Sequence, residues 1–93
     1  MLNKENKLKC GKVIDTYPKE YQLMMLMEEL AELIQATSKL VRYGDTEPFL
    51  EEYADVTVML EQMRQMYHID AEEINKRAEK KLFRALNGRV AHG

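Results

Sequence analysis

Ninety-three residues predict one domain, because a chain this short rarely divides into two hydrophobic cores. Fourteen Lys and Arg against sixteen Asp and Glu leave a net charge of −2, which advertises neither nucleic-acid nor membrane binding. A hydrophobic share of 45% with 32% charged residues is globular, not disordered.

The longest uninterrupted apolar run, residues 23–27, falls far short of the ~20 residues a membrane-spanning helix needs. Residues 3–12 are charged where a secretory leader would be apolar. The lone Cys10 can form neither an intramolecular disulfide nor a zinc site built on several thiolates. The expectation is a small cytoplasmic protein, a single domain over residues 1–93 with its core in about 17–87.

Helix signals dominate, and no segment alternates apolar and polar residues as a strand would. Residues 3–14 predict a short first helix, weakened by Gly11. Pro18 suits the first turn of a second helix that continues to about Tyr43, where Gly44 and Asp45 supply a stop. Leu23, Leu26, Leu30, Leu33, Thr37 and Leu40 alternate steps of three and four, as one buried stripe should. A third helix is expected from Thr46–Pro48 to about Tyr67, with a stripe of Phe49, Tyr53, Val56, Leu60, Met63 and Tyr67. Asp70 and Glu73 resemble a capping box that opens a last helix ending near Asn87 and Gly88. The expected fold is therefore all-α, a helical bundle built on a long antiparallel helix hairpin. Six methionines (Met24, Met25, Met27, Met59, Met63, Met66) offer more apolar surface than one hairpin hides, so the bundle is expected to be completed by oligomerisation.

The net charge conceals an uneven distribution. Residues 1–12 carry four lysines and one acid, residues 20–73 carry thirteen acids against Lys39, Arg42 and Arg64, and residues 76–89 carry six bases and one acid. Helix-dipole complementarity accounts for acids such as Glu72 and Glu73 in a first turn. It does not account for Glu29, Glu32, Glu52 and Asp55, which fall inside long helices.

Acids three or four residues apart project from one helix face. On a helical wheel Glu29 falls within the apolar arc between Met25, Ala36 and Leu33, and Glu52 falls between Met59 and Met63. Glu32 and Asp55 lie at the arc edges, and Glu28 points further out, near Gln35 and Lys39. A single such motif on a helix is usually a solvated face. Two of them, twelve and eleven residues either side of Gly44, come level across a hairpin. Unneutralised carboxylates gathered there would cost several kcal/mol each, so either their pKa values rise or cations neutralise them. An all-oxygen donor set selects Mg²⁺, with Mn²⁺ the alternative, over zinc. His68 and His92 lack the spacing of ligands and are expected at the surface.

The pattern of Glu28, Glu29 and Glu32, then about twenty residues, then Glu52 and Asp55, resembles the all-α nucleotide pyrophosphohydrolases of MazG type. The similarity covers roughly residues 22–84. It implies an oligomeric helical bundle, Mg²⁺ held by Glu29, Glu32, Glu52 and Asp55, and Glu28 as a supporting acid or water-orienting base. It also implies hydrolysis of a (deoxy)nucleoside triphosphate to the monophosphate and pyrophosphate, limiting non-standard or surplus nucleotides. Lys81 and Arg84 resemble the family's C-terminal basic element, with Lys76 and Lys80 an adjacent stripe, as substrate-binding cations; a soluble helix end favoured by its dipole is the plain alternative. The expected partners are the triphosphate and further copies of the chain, as a homodimer or homotetramer, with no nucleic acid and no membrane. Two other readings compete: a phosphoribosyl-ATP pyrophosphohydrolase, which shares the acidic hairpin, and a non-catalytic helical module that binds nucleotide or protein.

Overall fold

The computed structural model describes residues 1–88, so Arg89 and His92 lie outside the described residues. Four α-helices follow in order, and no strand occurs among the described residues: α1 (Lys4–Thr16), α2 (Lys19–Tyr43), α3 (Thr46–Met66) and α4 (Ala71–Leu86). No described helix is long and apolar enough to cross a membrane.

Each boundary has a local cause. The Asn3 side chain accepts from the Asn6 N–H at 2.8 Å and starts α1. Pro18 stands just ahead of α2 in extended conformation, not inside the first turn as expected. The turn between α1 and α2 is pinned from the far side by Gln22, whose Nε2 donates to the Tyr17 carbonyl at 2.9 Å. Gly44 ends α2 in the left-handed region at φ 73°, donating its N–H to the Leu40 carbonyl. Asp70 opens α4 by accepting from the Glu72 N–H at 3.0 Å. The other half of the expected capping box is not formed, because the Glu73 carboxylate accepts from Arg77 instead.

Helices α2 and α3, joined by Gly44 and Asp45, form the largest packing surface of the chain, and α1 packs on α3. Gly11 acts less as a helix weakness than as a point of contact. A Cβ there would lie 3.1 Å from Gln65 Oε1, so its absence lets α1 approach α3 closely. Gln65 Nε2 then donates to the Lys7 carbonyl and to Glu61 Oε2, both at 2.8 Å.

The buried apolar residues are Cys10, Ala36, Val56, Met59 and Met63, with Gln22 and Gln62 buried among them. Of the leucine stripe read from sequence, Leu23, Leu26, Leu33 and Leu40 are half-buried and flank the core line of α2. Leu30 and Thr37 are exposed, while Gln22 and Ala36 are buried with Met25 and Glu29 half-buried beside them. In α3, Val56 and Met63 are buried as expected, but Met59 replaces Leu60, and Tyr53 and Tyr67 are exposed. No residue of α4 is buried.

Candidate metal centre

Glu29 lies seven residues from both Gln22 and Ala36, and Glu52 lies seven from Met59, so each carboxylate sits on the buried line of its helix. Both are half-buried. One carboxylate oxygen from each of Glu29, Glu52 and Asp55 falls in a group whose members all lie within 4.8 Å of one another. Glu32 is exposed at the rim and lines a groove between α2 and α3 together with Glu52. Glu28, one turn earlier on α2, is exposed and outside this group.

No donor relieves the crowding. Glu29 Oε2 and Glu52 Oε2 are buried and have no hydrogen-bond partner. Burial first, then the charges of Asp55, Glu32 and Glu52, push the Glu29 carboxyl up to about 7. Glu52 is also raised, by burial first and then by Glu32 and Asp55, against a smaller lowering by its contact with Glu29. Glu61, farther along α3, has the opposite environment. Arg64 donates to both of its oxygens, at 3.0 and 2.8 Å, and Gln65 adds a third bond. Those bonds hold Glu61 down at about 2 despite its burial. An acid served by donors is a structural ion pair, whereas acids that bury bare oxygens against one another are costly until a proton or a cation neutralises them.

The donor set fits a hard divalent ion. Among the described residues the converging group holds only carboxylates, with no His or Cys. His68 is exposed, with φ 53° in the turn after α3, in keeping with the surface position expected for it.

Lys76, Lys80, Lys81 and Arg84 are all exposed on α4. Lys76, Lys80 and Arg84 share one side of that helix with Arg77 and Phe83. No α4 residue lines the groove beside the acids, and among the described residues no α4 side chain hydrogen-bonds or ion-pairs with α2 or α3. The structure therefore brings Glu29, Glu52 and Asp55 together with Glu32 at their edge, and leaves the α4 bases apart from them within one chain. A base that sequence reasoning did not select, Lys39, lines the groove. Its seven-residue spacing from Glu32 was the available signal.

Comparison of the chain with known protein families, with characterised proteins and with solved structures finds no match.

Proposed function

We propose that the protein is a Mg²⁺-dependent nucleotide pyrophosphohydrolase, similar to the MazG type, that converts a (deoxy)nucleoside triphosphate to the monophosphate and pyrophosphate. The observation that carries this reading is the pair of buried, donorless oxygens of Glu29 and Glu52 beside Asp55. Glu29, Glu52 and Asp55, with Glu32 at the rim, would hold Mg²⁺ or Mn²⁺. The chemistry such an ion would supply when bound is neutralisation of phosphate oxygens and acidification of a water. Glu28, exposed one turn before Glu32, accepts the proton of the attacking water. The water oxygen bonds to the α-phosphorus, the bond from that phosphorus to the α,β-bridging oxygen breaks, and the electron pair leaves on pyrophosphate.

The assembly belongs to the same proposal: an antiparallel hairpin bundle completed as a homodimer or homotetramer, working in the cytoplasm. Five buried apolar residues among the 88 described are few, and α4 buries none of its own. Assembly of copies is also the route by which Lys76, Lys80, Lys81 and Arg84 would meet a triphosphate at the acids.

The test is a panel of ribo- and deoxyribonucleoside triphosphates, with phosphoribosyl-ATP, incubated with Mg²⁺ and scored for pyrophosphate and orthophosphate. Pyrophosphate release from a triphosphate supports the proposal. Orthophosphate as the sole product, or no turnover of any nucleotide, refutes it.

A further inference from the structure

We infer that Lys39 binds the pyrophosphate end of the substrate in the α2–α3 groove beside the acidic centre. The inference rests on the pyrophosphohydrolase reading for its substrate, but on separate residues for its evidence.

The groove has a volume of about 300 Å³ and is lined by Glu32, Gln35, Ala36, Lys39, Pro48 and Glu52. That is the lower end of the range for small-molecule sites, ~300–1,000 Å³, which suits part of a nucleotide better than the whole. Ala36 is buried and small, so it gives the groove depth. The lining is polarised along its length. Glu32 and Lys39 are seven residues apart on one side of α2, roughly 10 Å along the axis. Acids therefore stand at one end and an ammonium at the other. A phosphate held at the acidic end would leave the next phosphates within the groove that Lys39 lines.

Lys39 is also the base left over for this role. Of the four bases on α2 and α3, Lys19 lies over the Tyr67 ring at 4.9 Å and Arg42 over the Tyr43 ring at 5.2 Å. Arg64 is bound to Glu61. Among the described residues Lys39 has no carboxylate within 4.0 Å, although Glu32 and Glu52 line the same groove. A groove cation that no carboxylate pairs is free to bind an anion that enters the groove. When the bond to the α-phosphorus breaks, negative charge collects on the leaving pyrophosphate, and an ammonium placed there binds it more strongly than in the ground state. Lys39 would thereby favour a triphosphate over a monophosphate.

The experiment compares full-length wild type, Lys39→Met and Lys39→Arg by calorimetric titration with inorganic pyrophosphate in the presence of Mg²⁺, and with a nucleoside monophosphate as control. Because Lys39 is exposed, both variants should keep the wild-type circular dichroism. Lys39→Met should weaken pyrophosphate binding by roughly tenfold or more, the loss of one charge-assisted contact, with monophosphate binding unchanged. Lys39→Arg should restore most of the affinity. Equal pyrophosphate binding by wild type and Lys39→Met overturns the inference, as does a wild type that binds no pyrophosphate. Lys39-dependent pyrophosphate binding by a protein that turns over no nucleotide would leave the inference standing and remove the enzymatic reading.

Discussion

Glu29 on α2 and Glu52 on α3 each bury a carboxylate oxygen that no hydrogen-bond donor reaches, while Asp55 closes a group of oxygens all within 4.8 Å of one another. Such an arrangement opposes folding unless a cation or a proton neutralises it. Mg²⁺ at millimolar concentration should therefore raise the melting temperature of the wild type at pH 7.5. Glu29→Gln should raise the metal-free melting temperature by several degrees, on the order of 1 kcal/mol, since the amide removes a charge and adds donors. The same variant should lose the response to Mg²⁺. Thermal denaturation with and without EDTA checks both, and an unaltered Mg²⁺ response in Glu29→Gln would contradict the ligand role.

Two carboxyls give the metal-free protein a stability maximum in mildly acidic solution. Glu29 titrates near 7 in the folded chain against an ordinary value of 4.5, so the folded state keeps a proton that the unfolded chain gives up. Stability from this group is lost as pH rises from about 5 through 7. Glu61 titrates near 2, so its contribution is present above 4.5 and lost as pH falls toward 2. Urea denaturation in EDTA across pH 3 to 8 should peak near pH 5. Stability that climbs steadily from pH 5 to 8 would be incompatible with the crowded acids.

The helix ends were legible in the sequence because each depends on one or two local residues: Gly44 with its left-handed φ, Asp70 with its accepting carboxylate. The acids of the site were legible because a carboxylate inside an apolar arc is costly there unless a cation or a proton neutralises it. The facing side of α2 was legible only in part. Leucine spacing marked Leu23, Leu26, Leu33 and Leu40, which are half-buried, but not Gln22 and Ala36, which are the buried residues of that helix. Lys39 was passed over, since only the lateral position of α3 turns an exposed lysine into a groove residue. The four bases of α4 were read as substrate-binding cations, and nothing in their own spacing could reveal that α4 packs so little on its own chain.

Gly11 and Gln65 should be energetically coupled. Alanine at position 11 gains about 1 kcal/mol of helix propensity over glycine. In the wild-type background its Cβ meets Gln65 Oε1 at 3.1 Å, and the Gln65 amide is held by its bonds to Lys7 and Glu61. Gly11→Ala should therefore be near neutral alone and stabilising by about 1 kcal/mol in a Gln65→Ala background. A double-mutant cycle by chemical denaturation reads the difference. Equal effects in both backgrounds would mean that the close approach of α1 to α3 carries no energy.

Helix α4 supplies the sharpest test of assembly. It is 16 residues long, a length at which an isolated helix is marginal in water. Yet it buries no residue, and it exposes Ile74, Leu82 at 59% and Leu86 at 84%, which recur on one side at steps of eight and four. On α2, Met27, Leu30, Ile34 at 71% and Val41 form a second exposed stripe beside the core line. Covering a leucine-sized side chain is worth roughly 1.5–3 kcal/mol, so two such stripes on a chain with a thin core should draw copies together. Light scattering at micromolar concentration should give a homodimer or homotetramer. Leu82→Glu should shift the mass toward monomer and lower the melting temperature, and Ile34→Glu should do so through the other stripe. A wild-type monomer whose melting temperature ignores Leu82→Glu would rule out α4 as an interface.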